Sequence, residues 1–292
     1  TLARLRSGAD VAPKPFVADI ALRVGRGMMG QMRAAWTASG AQGAFQDLHM
    51  ADEASVLRCV EGLCKDISRP LIVTVKNSDR LVGVLSNARA RGKRVIALVS
   101  DLAPPARDGF VGLDDRAAGQ TAAFLIGRML GDRPTTVGVV LGNSSFRCHE
   151  DREIGFRTGL RSHFPKVVIS GEAQGDDSAE QTRKAGARLL GEHPALGAIY
   201  NVGGGNTGMV DALRAAGRVA DMLVVGHEVN PVTAPLLQSG AMDFAIAGAP
   251  RDLVGAALSM AAEGGSETVK VVRHLDFGVY SRFNLPSFST AS

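Results

Sequence analysis

Short runs of β-branched and aliphatic residues alternate with amphipathic stretches from Phe16 almost to the end of the chain. The runs predict strands at 16–22, 43–48, 70–75, 94–99, 136–141, 167–171, 196–200, 222–226, 242–247 and 268–273. Apolar residues at helical spacing between them predict helices at 28–39, 52–67, 78–91, 116–130, 150–163, 178–192, 206–217, 230–239 and 250–263. Gly, Pro or Asn punctuates most junctions, as at Arg91-Gly92 and Gly131-Asp132-Arg133-Pro134. Continuous apolar strands alternating with helices of this length indicate buried parallel sheets covered on both faces. The array holds about twice the βα units of one open sheet of roughly five or six strands, and it restarts near residue 113. The expected fold class is therefore α/β, with two doubly wound parallel-sheet subdomains. The segment 101–115 (DLAPPARDGFVGLDD), with its Pro-Pro pair, is expected to carry the chain from the first sheet to the second.

Composition narrows the class. At 292 residues, 45% hydrophobic and 21% charged, the chain can bury two domain-sized cores of ordinary globular type. Its apolar stretches all fall short of the roughly 20 residues that span a bilayer. The net charge of +4 matches the excess carried by residues 1–35 alone, where Arg4, Arg6, Lys14, Arg23, Arg26 and Arg33 face Asp10 and Asp19. The body is balanced, so any nucleic acid contact is expected at or before the N-terminus. Cys59, Cys64 and Cys148 form neither a CxxC pair nor a zinc pattern, and they read as thiols in a reducing compartment. No charged stretch followed by an apolar one precedes the first strand, so no signal peptide is read.

In open α/β sheets, ligands bind beyond the carboxyl ends of the strands. That rule selects Arg23–Met29, Lys76, Asn77, Ser100, Asp101, Asn143–Phe146, Asn201 and His227–Asn230. Asp101 and Glu228 can accept from hydroxyls, or serve as a helix cap or hinge ion. Asn201 can pair with a hydroxyl or close an Asx turn. Phe146 is the preferred stacking ring, and Trp36 is assigned to packing. Met28 and Met29 form an apolar wall or pack their helix. Gly203-Gly204-Gly205-Asn206 opens a helix without the Lys-Ser/Thr of a phosphate loop. His149, Glu150 and Asp151 are consecutive and do not converge on a metal as an HExxH pair does, and no GxSxG elbow is present. No cofactor, metal or enzymatic activity is expected.

IALVSD (96–101) followed by VGLDDRAAGQTAAFLIGRML (111–130), DREIGFRTGL (151–160), YNVGGGNTGMVDALRAAG (200–217) and VVGHEVN (224–230) stand in an order that resembles the clamshell shared by ribose-type periplasmic binding proteins and the effector domains of LacI-family transcriptional regulators. The resemblance implies a periplasmic binding protein type I fold with hinge strands and three crossings. An N-terminal subdomain is then 16–112 plus 249–276, a C-terminal one is 113–248 plus 277–292, and residues 1–15 are a linker toward a DNA-binding head absent from this chain. The motif Arg falls at Arg152, where a guanidinium fork can hold two hydroxyls or a carboxylate. The implied ligand set is Arg152, Asp101, Glu228, Asn201, Phe146, Ser100, Met28, Met29 and His227. Val202-Gly203-Gly204-Gly205 and His227-Glu228 depart from the family pattern, which argues against ribose itself.

The basic residues of 1–15, the free cysteines and SRFNLP (281–286) favour the regulator. The expectation is a cytoplasmic homodimer that binds a small sugar, polyol or sugar acid between its lobes and controls operator DNA through the head. A secreted receptor that hands the same ligand class to an ABC transporter is the alternative.

Overall fold

The computed structural model describes residues 16–131, 135–263 and 271–287. The linker expected at 1–15 lies outside them. Twelve strands among the described residues form two sheets. The first contains β1 (Asp19–Leu22), β2 (Phe45–Asp47), β3 (Leu71–Thr74), β4 (Val95–Leu98), β5 (Gly109–Leu113) and β11 (Val271–Leu275), in the order β11-β5-β4-β3-β1-β2. The second contains β6 (Thr135–Leu141), β7 (Val167–Gln174), β8 (Leu196–Asn201), β9 (Leu223–His227), β10 (Phe244–Ala247) and β12 (Gly278–Tyr280), in the order β12-β10-β9-β8-β6-β7. All pairings are parallel except β10 with β12. Apart from the added edge strands, both sheets follow one doubly wound order, with the direction of winding reversing between β1 and β3 and again between β6 and β8. Such a reversal opens a crevice at the strand ends.

The inner strands are mostly apolar because both faces are covered, as in β3 (LIVT) and β4 (VIAL), every residue of which is buried. In the first sheet, α1 (Arg26–Ala38) and α9 (Pro250–Ala262) pack on one face through Met29, Met32, Trp36, Leu253 and Ala257. The other face takes α2 (Glu53–Leu63) and α3 (Asp79–Ala90), through Val56, Val60, Leu81 and Leu85. In the second, α4 (Asp115–Leu130) and α5 (Arg147–His163) cover one face, while α6 (Ala179–Glu192), α7 (Asn206–Ala215) and α8 (Ala234–Ser239) cover the other. Helices α4 and α5 lie unusually close. A Cβ on Gly119 would strike the carbonyl oxygen of Arg152, and one on Gly155 that of Arg116, so glycine is required at the seam. This approach brings Arg152 of α5 to the first turn of α4.

Two strands escape the pattern. Segment 101–115 does not cross directly: Pro104–Ala106 forms a single 3-10 turn, and Gly109–Leu113 then returns as β5, paired with β4 and β11 in the first sheet. The Pro-Pro pair and flanking glycines mask a strand that is nonetheless buried. The three-residue β12 is too short to register as a run. The chain passes between the sheets after Leu113, at Gly248-Ala249, and at Asp276-Phe277. Among the described residues, no helix is long and apolar enough to cross a membrane.

Candidate functional site

The carboxyl ends of both sheets face one another across a cleft of about 340 Å³. The first lobe supplies Arg23, Val24, Gly25 and Met28 after β1, His49 and Met50 after β2, Thr74 and Lys76 at β3, and Val99 and Ser100 after β4. The second supplies Asn143, Phe146, Cys148, His149 and Arg152 after β6, Asp176, Asp177 and Ser178 after β7, Gly204 after β8 and Glu228 after β9. A smaller recess of about 20 Å³ continues toward the crossing segments and shares Met28, Val99, Arg152 and Glu228. The lobes touch at the seam. Asn77 N donates to Ser145 O at 2.8 Å, Gln31 Nε2 to Val229 O at 3.2 Å, and Cys148 N to Ser100 Oγ at 3.4 Å.

Arg152 is 7% exposed and held from behind. Its Nε donates to Asp115 Oδ1 at 2.7 Å and its Nη1 to the Val202 carbonyl at 3.2 Å. Nη2 makes no hydrogen bond to a described residue, so one arm of the fork is left for a ligand. Burial raises the Asp115 carboxyl while the adjacent guanidinium opposes this, and the Arg152 side chain stays charged. The guanidinium is therefore the cation of a buried ion pair and at the same time part of the cleft wall, a pairing with Asp115 that the spacing of a single Arg does not reveal.

Glu228 has φ +70, a left-handed backbone that a side chain rarely adopts. Its carboxylate accepts from Asn230 Nδ2 at 3.1 Å and lines both parts of the cleft. Burial pushes its pKa up, with Arg152 acting in the opposite sense.

The turn after β7 is a second anchor. Asp176 and Asp177 both have positive φ, 48 and 62. Asp177 accepts from Gly204 N at 2.9 Å and Asn143 N at 3.2 Å, which ties three strand-end loops together. Asp176 Oδ1 accepts from Asn143 Nδ2. The Asn143 side chain accepts from Ser145 N at 3.0 Å, and this turn presents Phe146, whose ring meets His149 edge-on at 5.7 Å. His149 Nδ1 lies 3.1 Å from Asn143 O and 3.6 Å from Asp177. Burial opposes charge on this imidazole, but Cys148 and Asp177 outweigh it and push its pKa up to about 9.

Arg152, Glu228, Phe146, Ser100 and Met28 of the expected ligand set thus come together on the cleft. Four others stand apart from it. Asp101 is consumed locally, accepting from Leu102 N at 2.8 Å and Arg107 Nη2 at 2.7 Å. Asn201 spends its amide on Gly204 O and Asn206 Oδ1 at 2.9 and 2.8 Å, closing the turn into α7. His227 lies within the core, 1% exposed, with Nε2 2.7 Å from the Tyr200 hydroxyl, and burial holds it well below the ordinary histidine value. Met29 points into the core between α1 and the first sheet, while Met28 is half-buried at its edge and reaches the cleft. Sequence reasoning missed Asp176, Asp177, His149 and Cys148. Because β7 runs to Gln174 rather than 171, the Gly175-Asp176-Asp177-Ser178 turn is a strand end, and its polar, glycine-led composition was the available signal. Among the described residues, no group of His, Cys, Asp and Glu could hold a metal.

Comparison with solved structures gives the same architecture throughout. A glucose-galactose binding protein from Geobacillus stearothermophilus superimposes with a TM-score of 0.82 at 18% identity, covering 94% of this chain and 100% of that one. An ABC transporter solute binding protein from Burkholderia graminis, in complex with D-arabinose, gives 0.82 at 17% over 94% and 98%. Another, from Actinobacillus succinogenes with bound D-allose, gives 0.79 at 20% over 92% and 98%. In sequence, the D-ribose/D-allose-binding protein of Pseudomonas aeruginosa is 28% identical over 202 residues, 65% of this chain. The match spans 60% of that relative's length. Residues 70–264 match the periplasmic binding protein domain. With this match over most of its length and two lobes of one winding order around a shared cleft, the chain belongs to the periplasmic binding protein domain family, with the type I fold.

Proposed function

We propose that the chain binds a monosaccharide or closely related polyol between its lobes and delivers it to an ABC transporter. The observation that carries the reading is the cleft itself. Its wall sets a guanidinium arm, carboxylates, an amide and an ammonium around one aromatic ring. Each sugar hydroxyl offers both a donor and acceptors, and this mixed lining answers both. Phe146 gives a face for the apolar side of a sugar ring. The relatives are named for ribose, allose, glucose and galactose or hold arabinose and allose, and they favour a transporter component over the LacI-type effector domain. On this reading the chain works outside the cytoplasmic membrane as a monomer, in place of the cytoplasmic, operator-linked homodimer expected from its motifs.

Calorimetric titration with D-ribose, D-allose, D-arabinose, D-glucose and D-galactose tests the sugar reading. Saturable one-to-one binding of at least one is expected, and binding of none overturns it. Gel filtration at micromolar concentration tests the transporter reading: a stable dimer favours the regulator instead.

A further inference from the structure

Most ionic groups of the cleft are already answered within the fold. Arg23 Nη1 donates to Glu53 at 3.1 Å, Arg152 Nε to Asp115 at 2.7 Å, and His149 lies beside Asp177 at 3.6 Å. The carboxylates are engaged as well. Asp177 accepts from two backbone N–H groups, Asp176 from the Asn143 amide and Glu228 from the Asn230 amide. Lys76 is the exception. It follows β3, is half-buried and lines the cleft, yet among the described residues its ammonium has neither an ion pair nor a hydrogen bond. A charge partly withdrawn from water is stabilised by an opposite charge brought to it, and more strongly than in open solvent. The donors left over are thus the Lys76 ammonium and the Nη2 arm of Arg152, so a ligand rich in acceptors answers this wall better than a plain polyol.

The backbone fixes where the ammonium stands. Asn77 N donates to Ser145 O at 2.8 Å, so the residue after Lys76 is pinned across the seam to the turn that carries Phe146 and opens α5. Arg152 and Glu228 border the recess toward the crossing segments, which Lys76 does not line. The cleft therefore offers a positive charge without an anion of its own in one part, and a guanidinium arm and a carboxyl for hydroxyls in another. Size and charge narrow what fits. A cavity of about 150 Å³ takes benzene, roughly 25 Å³ per non-hydrogen atom, so the 340 Å³ here holds about 13 or 14 such atoms. A six-carbon sugar ring with one carboxylate is of that size. A phosphosugar is larger and brings nearly two negative charges against one ammonium, close to Asp176 and Asp177.

We propose that the ligand is a sugar acid, a sugar ring bearing one carboxylate, and that Lys76 selects it over the neutral sugar. The inference rests on the sugar reading of the cleft and narrows it.

Calorimetric titration of the whole chain with matched ligands tests it. D-galactose, D-galacturonate and D-galactose 6-phosphate share one ring and differ only at the sixth carbon, and the glucose series does the same. At least one uronate should bind about tenfold or more tighter than both its parent sugar and the matching phosphate, as expected for a hydrogen bond to a charged group. K76M keeps the length of the stem and removes the charge, and it should lower the ratio of uronate to parent affinity by about tenfold or more. Uronates that bind no tighter than their parents, a phosphate that binds tighter than its uronate, or a ratio that K76M leaves in place overturns the proposal. The comparison among ligands needs no variant, so it decides even if K76M does not fold. Neutral sugars that bind without preference for the acid sink this proposal alone, whereas no binding by any sugar or acid sinks the sugar reading with it.

Discussion

Replacing Arg152 by Ala removes a guanidinium from a site where it is 7% exposed and leaves Asp115, equally buried, without its partner. Breaking one side of a buried ion pair costs about 3–5 kcal/mol, because the remaining charge is neither solvated nor neutralised. At roughly 2–4 °C per kcal/mol for a chain of this size, the melting temperature should fall by about 6–20 °C. The loss has a pH signature. In the variant, the folded-state pKa of Asp115 is raised above its unfolded value near 3.9, since burial then acts without Arg152. Stability is fully present below that unfolded value and is lost as pH rises through the folded one, so Arg152→Ala should be less damaging at pH 4 than at pH 7.

Urea unfolding followed by circular dichroism, run at both pH values, measures the effect. The double variant Arg152→Leu with Asp115→Leu separates the two duties of the residue. Apolar replacement of both partners should recover most of the stability, since it removes both buried charges together. Sugar affinity should stay lost, because the free Nη2 arm has gone. A loss below about 1 kcal/mol for Arg152→Ala, or full sugar affinity in the double variant, would refute the reasoning.

Glu228→Gly relieves a left-handed backbone strain of order 1 kcal/mol and removes a half-buried carboxylate. Denaturation should show equal or greater stability, while the lost hydrogen bond to a charged group, about 1.5–3 kcal/mol, weakens sugar binding at least tenfold. Gly27 of α1 faces Asn230 of the other lobe, and Asn230 is pinned by bonds from Val232 N and Thr233 N and to Glu228. Gly27→Ala should therefore hold the lobes apart, seen as a larger radius of gyration in solution scattering and weaker sugar binding; an unchanged radius would show that Asn230 yields. His149 has a folded pKa raised to about 9 from an ordinary 6.5, so its contribution to stability is complete below 6.5 and is lost as pH rises to about 9. His149→Gln should flatten the stability profile between those values, and an unaltered slope would remove the effect. Gly119→Ala should cost several kcal/mol in urea unfolding, because the new methyl meets rigid backbone at the α4–α5 seam.

Much of the fold was legible along the chain, since helix and strand leave different periods in the apolar residues and both sheets are covered on both faces. Ten strands and nine helices were placed close to where they occur among the described residues. β5 was hidden by Pro104, Pro105 and Gly109, whose local signal is that of a loop, whereas pairing with β4 and β11 makes a strand of Gly109–Leu113. The rule that ligands lie beyond strand ends was equally local, and it selected Arg23, Lys76, Ser100, Asn143, Phe146 and Glu228 without any contact being known.

What the sequence could not decide is how each strand-end side chain spends its polar atoms. Asp101 and Glu228 are the same chemical type and follow corresponding strands, β4 and β9, in the two lobes. Arg107 takes up the first, while a left-handed backbone turns the second into the cleft. Met28 and Met29 are neighbours in sequence, but 100° of helical rotation sends one to the cleft and the other to the core. Asn201 and His227 are strand ends taken up by neighbours from α7 and β8. Periodicity records which face of an element is apolar, and that is a property of the chain. Whether a polar group is free for a ligand depends on partners far away in sequence, and only the folded arrangement supplies them.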